Sequence, residues 1–186
     1  MRIIGGILGG RRLKAMKGPL IRPTADRVKE AVFGILGKEV VAGRVLDLCA
    51  GTGALGLEAL SRGASFAVFV DKHPRACRLV EENLRGMGFA DRGEIRCREL
   101  HRAVTELAKE GSTFDLLFFD PPYGEGMIGS GVAKIGTAGL IHPEGVLVVE
   151  AGRHETVPWP PEFVCRRTER YGETMVYFLR RRGDPR

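Results

Sequence analysis

The residues Asp47-Leu48-Cys49-Ala50-Gly51-Thr52-Gly53-Ala54-Leu55-Gly56 join an apolar, strand-like run to a helix-like stretch. Gly51, Gly53 and Gly56 form the spacing GxGxxG, which allows a tight turn and lets a ligand approach the backbone closely. This spacing fits a nicotinamide-dependent dehydrogenase as well as a methyltransferase. The stretch therefore predicts a parallel sheet that holds an adenosine-containing cofactor at this turn.

Outward from this turn, apolar runs alternate with amphipathic stretches. The predicted strands span residues 45–49, 66–71, 94–97, 115–120 and 145–151. The predicted helices span about 54–62, 74–86, 100–110 and 128–139. Nearly continuous apolar strands that alternate with helices predict a mostly parallel α/β sheet covered on both faces. Segments 164–171 and 174–179 flank Gly172-Glu173 and predict an antiparallel hairpin that closes the sheet.

Two carboxylates accompany the glycine turn. Asp71 ends the second predicted strand, where a carboxylate can accept hydrogen bonds from both ribose hydroxyls of an adenosine cofactor. Asp47 lies inside the first strand, where a dehydrogenase is normally apolar, and a buried carboxylate is costly unless it is paired. A methionine ammonium or a sulfonium would offset that cost, whereas the alternative is that Asp47 caps backbone amides of the turn. Asp47 therefore favours a methyltransferase over a dehydrogenase.

The turn Asp120-Pro121-Pro122-Tyr123 follows the fourth predicted strand. Two prolines fix two φ angles and remove two backbone donors, so the turn presents a carboxylate, free carbonyls and an aromatic ring in fixed positions. An exocyclic base amine that attacks a sulfonium methyl gains positive charge, which acceptor oxygens at its N–H groups stabilise. Tyr123 would stack the base and fix the line of attack. The turn thus predicts amino methylation; the alternative is a plain strand-to-loop turn.

The amino-terminal segment carries the net charge of the chain. Residues 1–36 hold eight basic and two acidic side chains, which accounts for the whole +6 of the protein. Short strands are predicted at 2–4 and 12–16 around glycines, followed by a helix that begins at Thr24 and carries Arg27 and Lys29 on its polar face. A basic segment on a neutral body predicts a polyanionic partner held through phosphates, or else a face that only aids solubility.

The remaining composition excludes several classes. Cys49, Cys77, Cys97 and Cys165 are scattered without a CxxC pair or a histidine at ligand spacing, so we expect reduced thiols and no metal. No run approaches the roughly 18 apolar residues of a membrane helix, and the first residues lack the pattern of a signal peptide. These features predict a cytoplasmic protein with no membrane partner.

The motifs together resemble the bacterial RsmD family, the small-subunit (16S) ribosomal RNA guanine-966 N2-methyltransferases. The resemblance rests on four stretches: Arg2-Ile3-Ile4-Gly5-Gly6 with Gly10-Arg11-Arg12-Leu13, Arg22-Pro23-Thr24 with Asp26-Arg27-Val28, the run 47–63, and the Asp-Pro-Pro-Tyr turn. The first two stretches are the more specific, because many amino-methyltransferases share the last two. The resemblance implies a seven-stranded, Rossmann-like methyltransferase fold that transfers methyl groups from S-adenosylmethionine.

The resemblance also implies roles for individual residues. The cofactor-binding set is Asp47, Ala50, Gly51, Gly53, Asp71, Lys72, Glu99 and Leu100, and the catalytic set is Asp120, Pro121, Pro122 and Tyr123. Glu99 departs from the family pattern, which often has an aspartate at the adenine amine. The expected contacts to 16S rRNA are Arg2, Arg11, Arg12, Lys14, Arg22 and Arg27. Residues 1–36 would form an RNA-binding appendage on a methyltransferase domain of residues 37–186, acting as a monomer on a small ribosomal subunit or an assembly intermediate.

Three other functions fit parts of the pattern. An adenine-N6 methyltransferase shares both turns, but it needs a target-recognition domain for which 186 residues leave no room. A nicotinamide-dependent oxidoreductase shares the glycine turn, and a catalytically silent RNA-binding module shares the basic segment. Binding of S-adenosylhomocysteine or NADH separates these classes.

Overall fold

A seven-stranded sheet forms the centre of the protein, seen in a computed structural model that describes residues 1–15, 26–122, 126–155 and 157–183. Its strands are β1 (Arg44–Leu48), β2 (Phe66–Asp71), β3 (Gly93–Cys97), β4 (Phe114–Phe119), β5 (Ile141–Gly152), β6 (Phe163–Tyr171) and β7 (Thr174–Arg181). Their order is β3-β2-β1-β4-β5-β7-β6. Strands β1 to β5 are parallel, and β7 pairs antiparallel with both β5 and β6. The predicted parallel sheet with its closing hairpin is confirmed.

In the described part of the chain, five α-helices cover the two faces of this sheet. They are α1 (Asp26–Leu36), α2 (Ala54–Ser61), α3 (Pro74–Gly86), α4 (Leu100–Lys109) and α5 (Met127–Ala138). Apolar side chains of α1, α2 and α3 form one core with one face of the strands, and those of α4 and α5 form a second core with the other face. Because β1 and β4 are buried on both faces, their side chains are apolar except at Arg44, Asp47 and Asp115.

The amino-terminal strands are shorter than the sequence predicts. Instead of strands at 2–4 and 12–16, the described residues form one antiparallel bridge between Arg2 and Arg12 and a short 3₁₀ turn at Gly6–Leu8. The buried carboxylate of Glu58 in α2 accepts the Ile4 and Gly5 amides at 2.7 and 2.8 Å. Because these donors bind a side chain of α2, they do not extend a strand ladder.

The predicted polar face of α1 is wrong at one residue. Lys29 is 0% exposed, and its ammonium donates to the carbonyl of Arg2 and lies 3.5 Å from the carboxylate of Asp26. Arg27 is exposed as predicted. Burial lowers the pKa of Lys29, while the nearby carboxylates of Glu58 and Asp26 oppose that shift. The lysine therefore joins α1 to the amino-terminal segment instead of facing solvent. The predicted helix start at Thr24 lies outside the described residues.

Candidate active site

The predicted functional turns meet at one edge of the sheet. The glycine turn follows β1, Asp71 ends β2, and Asp120 follows β4, so all lie at the carboxyl ends of neighbouring parallel strands. The chain connections run in opposite directions on the two sides of β1, which makes this edge the switch point where open α/β sheets bind ligands.

The glycine turn is held in a conformation that few side chains tolerate. Gly51 and Gly53 have φ angles of 55° and 77°, and Cys49 adopts a φ of 61° although it is not glycine. A Cβ added at Gly51 would meet no heavy atom within 4 Å, whereas one at Gly56 would lie 2.3 Å from the ring of Phe69. Gly51 therefore leaves the turn open to a ligand, and Gly56 lets α2 pack closely on β2.

Asp71 connects the glycine turn to the end of β2. Its two carboxylate oxygens accept the amides of Gly51 at 2.9 Å and His73 at 2.8 Å. The side chain is half-buried, and each oxygen has a second lone pair for another donor. The carboxylate is thus oriented by backbone before a ligand arrives.

Asp47 is buried directly beneath the glycine turn, with 2% of its surface exposed. One of its oxygens accepts the amide of Gly56 at 2.9 Å, so the predicted alternative, capping of a backbone amide, is present in the structure. Burial raises the pKa of Asp47 to about 8; the charges of Asp120 and Asp71 add to this, and the Gly56 amide opposes it. Three carboxylates therefore interact at this edge of the sheet.

The raised pKa of Asp47 predicts a pH-dependent stability. The carboxyl titrates near 3.8 when unfolded and near 8 when folded, so its stabilising contribution is complete below about pH 4 and lost as pH rises to about 8. Asp47→Asn removes this titration, and we expect the wild-type free energy of unfolding to fall relative to the variant by up to about 1.4 kcal/mol per pH unit in that window. Urea unfolding of both proteins between pH 5 and 8 measures the difference; parallel curves would contradict the assignment.

Asp120 begins the proline turn at the end of β4. Pro121 is buried and Pro122 is exposed, whereas Tyr123 lies outside the described residues. A cavity beside the turn is lined by Val32, Leu55, Phe118, Phe119, Asp120, Val148, Glu150 and Val176. The sequence prediction identified Asp120 but not this cavity, since its walls come from α1, α2, β4, β5 and β7.

The other predicted cofactor residues lie on the adjoining loops. Ala50 is half-buried and donates its amide to Val70 at 2.9 Å, which fixes the start of the turn. Lys72 is exposed just after β2, and Glu99 is exposed just after β3. Leu100 is buried as the first residue of α4. Their roles at a cofactor stay predictions.

The basic residues predicted for RNA lie on the surface of the amino-terminal segment and α1. Arg2, Arg11, Arg12, Lys14 and Arg27 are exposed, and Arg22 lies outside the described residues. Arg2 pairs with Asp26 at 3.3 Å and Lys14 with Glu82 at 3.1 Å, while Arg11 donates to the Gly86 carbonyl at 2.8 Å. Exposed ion pairs of this kind are worth at most about 1 kcal/mol.

Asn83 links the amino-terminal segment to the glycine turn, and the sequence prediction missed it. Its amide nitrogen donates to the carbonyls of Lys14 and Thr52, each at 3.1 Å, and its oxygen accepts the Lys14 amide at 2.8 Å. The hydroxyl of Thr52 also donates to the sulfur of Met1 at 3.1 Å. A buried asparagine on the apolar face of α3 was the available signal. The basic segment is therefore attached directly behind the glycine turn.

Within the described ranges, no group of three or more histidine, cysteine, aspartate or glutamate side chains is placed to hold a metal ion. The four cysteines are free thiols. Burial raises the pKa of Cys49 to about 12, and the charges of Asp71 and Asp120 add to the shift, so this thiol in the glycine turn stays protonated. Of the helices described, none is long and apolar enough to cross a membrane.

Known proteins resemble this chain along nearly its whole length. The model of a family described as conserved hypothetical protein 95 matches residues 1–180. YlbH of Bacillus subtilis (strain 168) is 37% identical over 184 residues, covering 98% of this chain and 100% of YlbH. Ribosomal RNA small subunit methyltransferase D of Escherichia coli (strain K12) is 31% identical over 182 residues, covering 98% and 90%. The solved structure of Escherichia coli yhhF has a TM-score of 0.85 at 31% identity and covers 97% of both chains.

Proposed function

The chain belongs to the RsmD family, that of ribosomal RNA small subunit methyltransferase D, and we propose that it transfers a methyl group from S-adenosylmethionine to the exocyclic N2 of a guanine in 16S rRNA. Membership identifies it as an rRNA methyltransferase, in agreement with the sequence prediction. The observation that carries methylation of an exocyclic amine is the position of the Asp120 proline turn beside the glycine turn, at one edge of the sheet. The resemblance to the RsmD family supports guanine N2 as that amine.

The described residues fit S-adenosylmethionine. The open side of Gly51 admits a ligand against the backbone, and the oriented carboxylate of Asp71 matches a pair of ribose hydroxyls. The charges of Asp71 and Asp120 oppose ionisation of the buried Asp47, so a cation bound beside these groups would offset their repulsion, and this ligand brings an ammonium and a sulfonium. When bound, the cofactor would supply an electrophilic methyl group: the nitrogen–carbon bond would form as the carbon–sulfur bond breaks, leaving S-adenosylhomocysteine, and the methylated nitrogen would lose one proton to solvent.

Asp120 acts on the nucleophile in this proposal. Its carboxylate and the adjacent carbonyls accept the N–H groups of the exocyclic amine and stabilise the positive charge that develops on nitrogen. Pro121 and Pro122 hold these acceptors rigid, since a proline ring fixes φ. Tyr123 completes the proposed catalytic set by stacking the base. The residues bind and orient the amine, so no covalent enzyme intermediate is required.

The substrate form follows from the same geometry. A guanine in helical RNA has to leave its stack before its amine reaches Asp120. The basic segment of residues 1–36 is the proposed grip on the flanking phosphates, with residues 37–186 holding the cofactor. We propose that a monomer acts on rRNA within a small ribosomal subunit or an assembly intermediate.

The cofactor assignment is tested at Asp71. Asp71→Ala removes the hydrogen bonds to the ribose, each worth about 1.5–3 kcal/mol when one partner is charged. We expect S-adenosylmethionine affinity in calorimetric titration to fall by at least tenfold, together with some loss of stability because Gly51 and His73 lose their acceptor. The exposed Asp91, on the turn before β3, gives a matched control as Asp91→Ala. Unchanged affinity in Asp71→Ala, or binding of NADH in place of S-adenosylmethionine, would refute the assignment.

A further inference from the structure

A second carboxylate lies in the cavity beside Asp120. Glu150 is on β5, only 7% of its surface is exposed, and it lines the same cavity as Asp120. It interrupts the apolar run of β5, in which Val146 to Val149 and Ala151 are all buried. A buried carboxylate carries a desolvation cost that an apolar residue at the same position would avoid.

The sheet register places Glu150 next to Asp120. Strands β4 and β5 are parallel, and Phe119 lies opposite Val149, so positions 120 and 150 follow directly on neighbouring strands. Phe118 and Val148, two residues before them, belong to the core on the α1 side of the sheet. Because strand side chains alternate between faces, Asp120 and Glu150 both belong to that side, where they line one cavity.

The cavity combines these two acceptors with apolar walls. Val32, Leu55 and Val176 form apolar walls of the cavity, and a carboxylate in its ionised form accepts hydrogen bonds but donates none. A base that binds at the opening of this small cavity, with one edge toward Asp120 and Glu150, therefore has to present adjacent N–H donors to them. Guanine does so with N1–H beside its N2 amine, whereas adenine and cytosine have no ring N–H beside their amine.

We propose that Glu150 selects guanine by accepting N1–H while Asp120 accepts the N2 amine. This inference rests on the proposed function and adds the residue that determines which base is accepted. A base with an acceptor at N1 would face the Glu150 carboxylate without a proton between them, and a site built to bind a donor rejects such an analogue strongly. Glu150 is therefore a specificity-determining residue, distinct from the group that activates the amine.

The test uses a target rRNA fragment with either guanine or 2-aminopurine at the methylated position. Both bases carry the 2-amine, but N1 of 2-aminopurine is an acceptor. We expect wild-type protein to methylate the guanine RNA roughly 10⁴-fold faster in kcat/KM, the size of discrimination found at sites that bind a substrate donor. Glu150→Gln can donate to N1, so we expect this ratio to fall at least tenfold.

Two controls separate a specific role from a structural one. Glu144→Gln changes an exposed residue of the same strand and should leave the ratio unchanged. S-adenosylmethionine affinity reports whether Glu150→Gln is folded, and Glu150→Asp, which keeps an acceptor, should keep the preference for guanine. A wild-type ratio in Glu150→Gln overturns the role of Glu150 while leaving the proposed function intact. A wild-type protein that methylates neither RNA, as a naked fragment or assembled with small-subunit proteins, overturns both.

Discussion

Replacement of Asp120 by alanine is expected to lower the rate of methyl transfer in single turnover roughly 10²–10³-fold, as the loss of one preorganised charge-stabilising group does elsewhere. The carboxylate follows β4 at the edge of the sheet where the glycine turn lies, and it lines the same cavity as Glu150. Its interaction with the amine strengthens as nitrogen becomes positive, so its loss affects the transition state more than the ground state.

Single-turnover measurements with saturating rRNA separate this effect from binding. S-adenosylmethionine affinity should stay within a few-fold of wild type, because Asp71 and the glycine turn are intact in Asp120→Ala. Asp120→Asn keeps one acceptor oxygen and should retain more activity than Asp120→Ala. Single-turnover rates equal to wild type in both variants would mean that Asp120 only shapes the turn.

Replacement of Arg11, Arg12 and Lys14 together by alanine is expected to weaken rRNA binding and flatten its salt dependence. The three side chains are exposed on the segment that Asn83 attaches behind the glycine turn. The exposed contact of Lys14 with Glu82 is weak enough to be exchanged for a phosphate. The slope of log affinity against log salt should fall by about two to three units, near 0.7–0.9 for each lost phosphate contact.

Titrations of one rRNA fragment over a range of salt concentrations measure this slope. S-adenosylmethionine binding should not change, since none of the three side chains is part of the proposed cofactor site. Arg166, Arg167 and Arg170 on β6 form the comparison, because they are also exposed and basic. The RNA would lie along β6 if alanine replacement of these three β6 arginines flattened the salt dependence and replacement of the three amino-terminal residues did not.

The sequence predicted the core elements closely because their signals are local. The bounds of β2 and α3 are those predicted, since apolar alternation, an N-terminal proline in α3 and flanking turn residues mark both ends. The glycine turn was recognisable for the same reason. Gly51 and Gly53 adopt positive φ angles, and Gly56 allows close packing on Phe69. Glycine itself is the local sequence signal for both requirements.

The errors arise where distant residues decide the structure. Lys29 was predicted to face solvent, but the Arg2 carbonyl and the charges of Asp26 and Glu58 make its burial possible. The first amino-terminal strand is shorter because Glu58, more than fifty residues away, accepts the amides of Ile4 and Gly5, and in the second the Lys14 amide donates to Asn83. Glu150 escaped notice because only the register of β4 and β5 places it beside Asp120. These contacts join residues that are distant in the sequence, so neither the hydrophobic periodicity nor the motif spacing predicts them.

The amino-terminal segment is also more closely joined to the body than a separate appendage would be. Ile3 and the apolar residues of α1 belong to the same core as β1, β2 and β4. The division of the chain at residue 36 stays a proposal about function: residues 1–36 would contact the RNA, and residues 37–186 would bind the cofactor.

The central claim is that the protein methylates the N2 of one guanine in small-subunit rRNA. Mass-spectrometric mapping of 16S rRNA from cells with and without the gene tests it most directly. We predict one N2-methylguanine that disappears without the gene, returns with the wild-type gene and does not return with Asp120→Ala. An identical set of N2-methylguanines in both strains, or the loss of a methylated adenine instead, would contradict the claim.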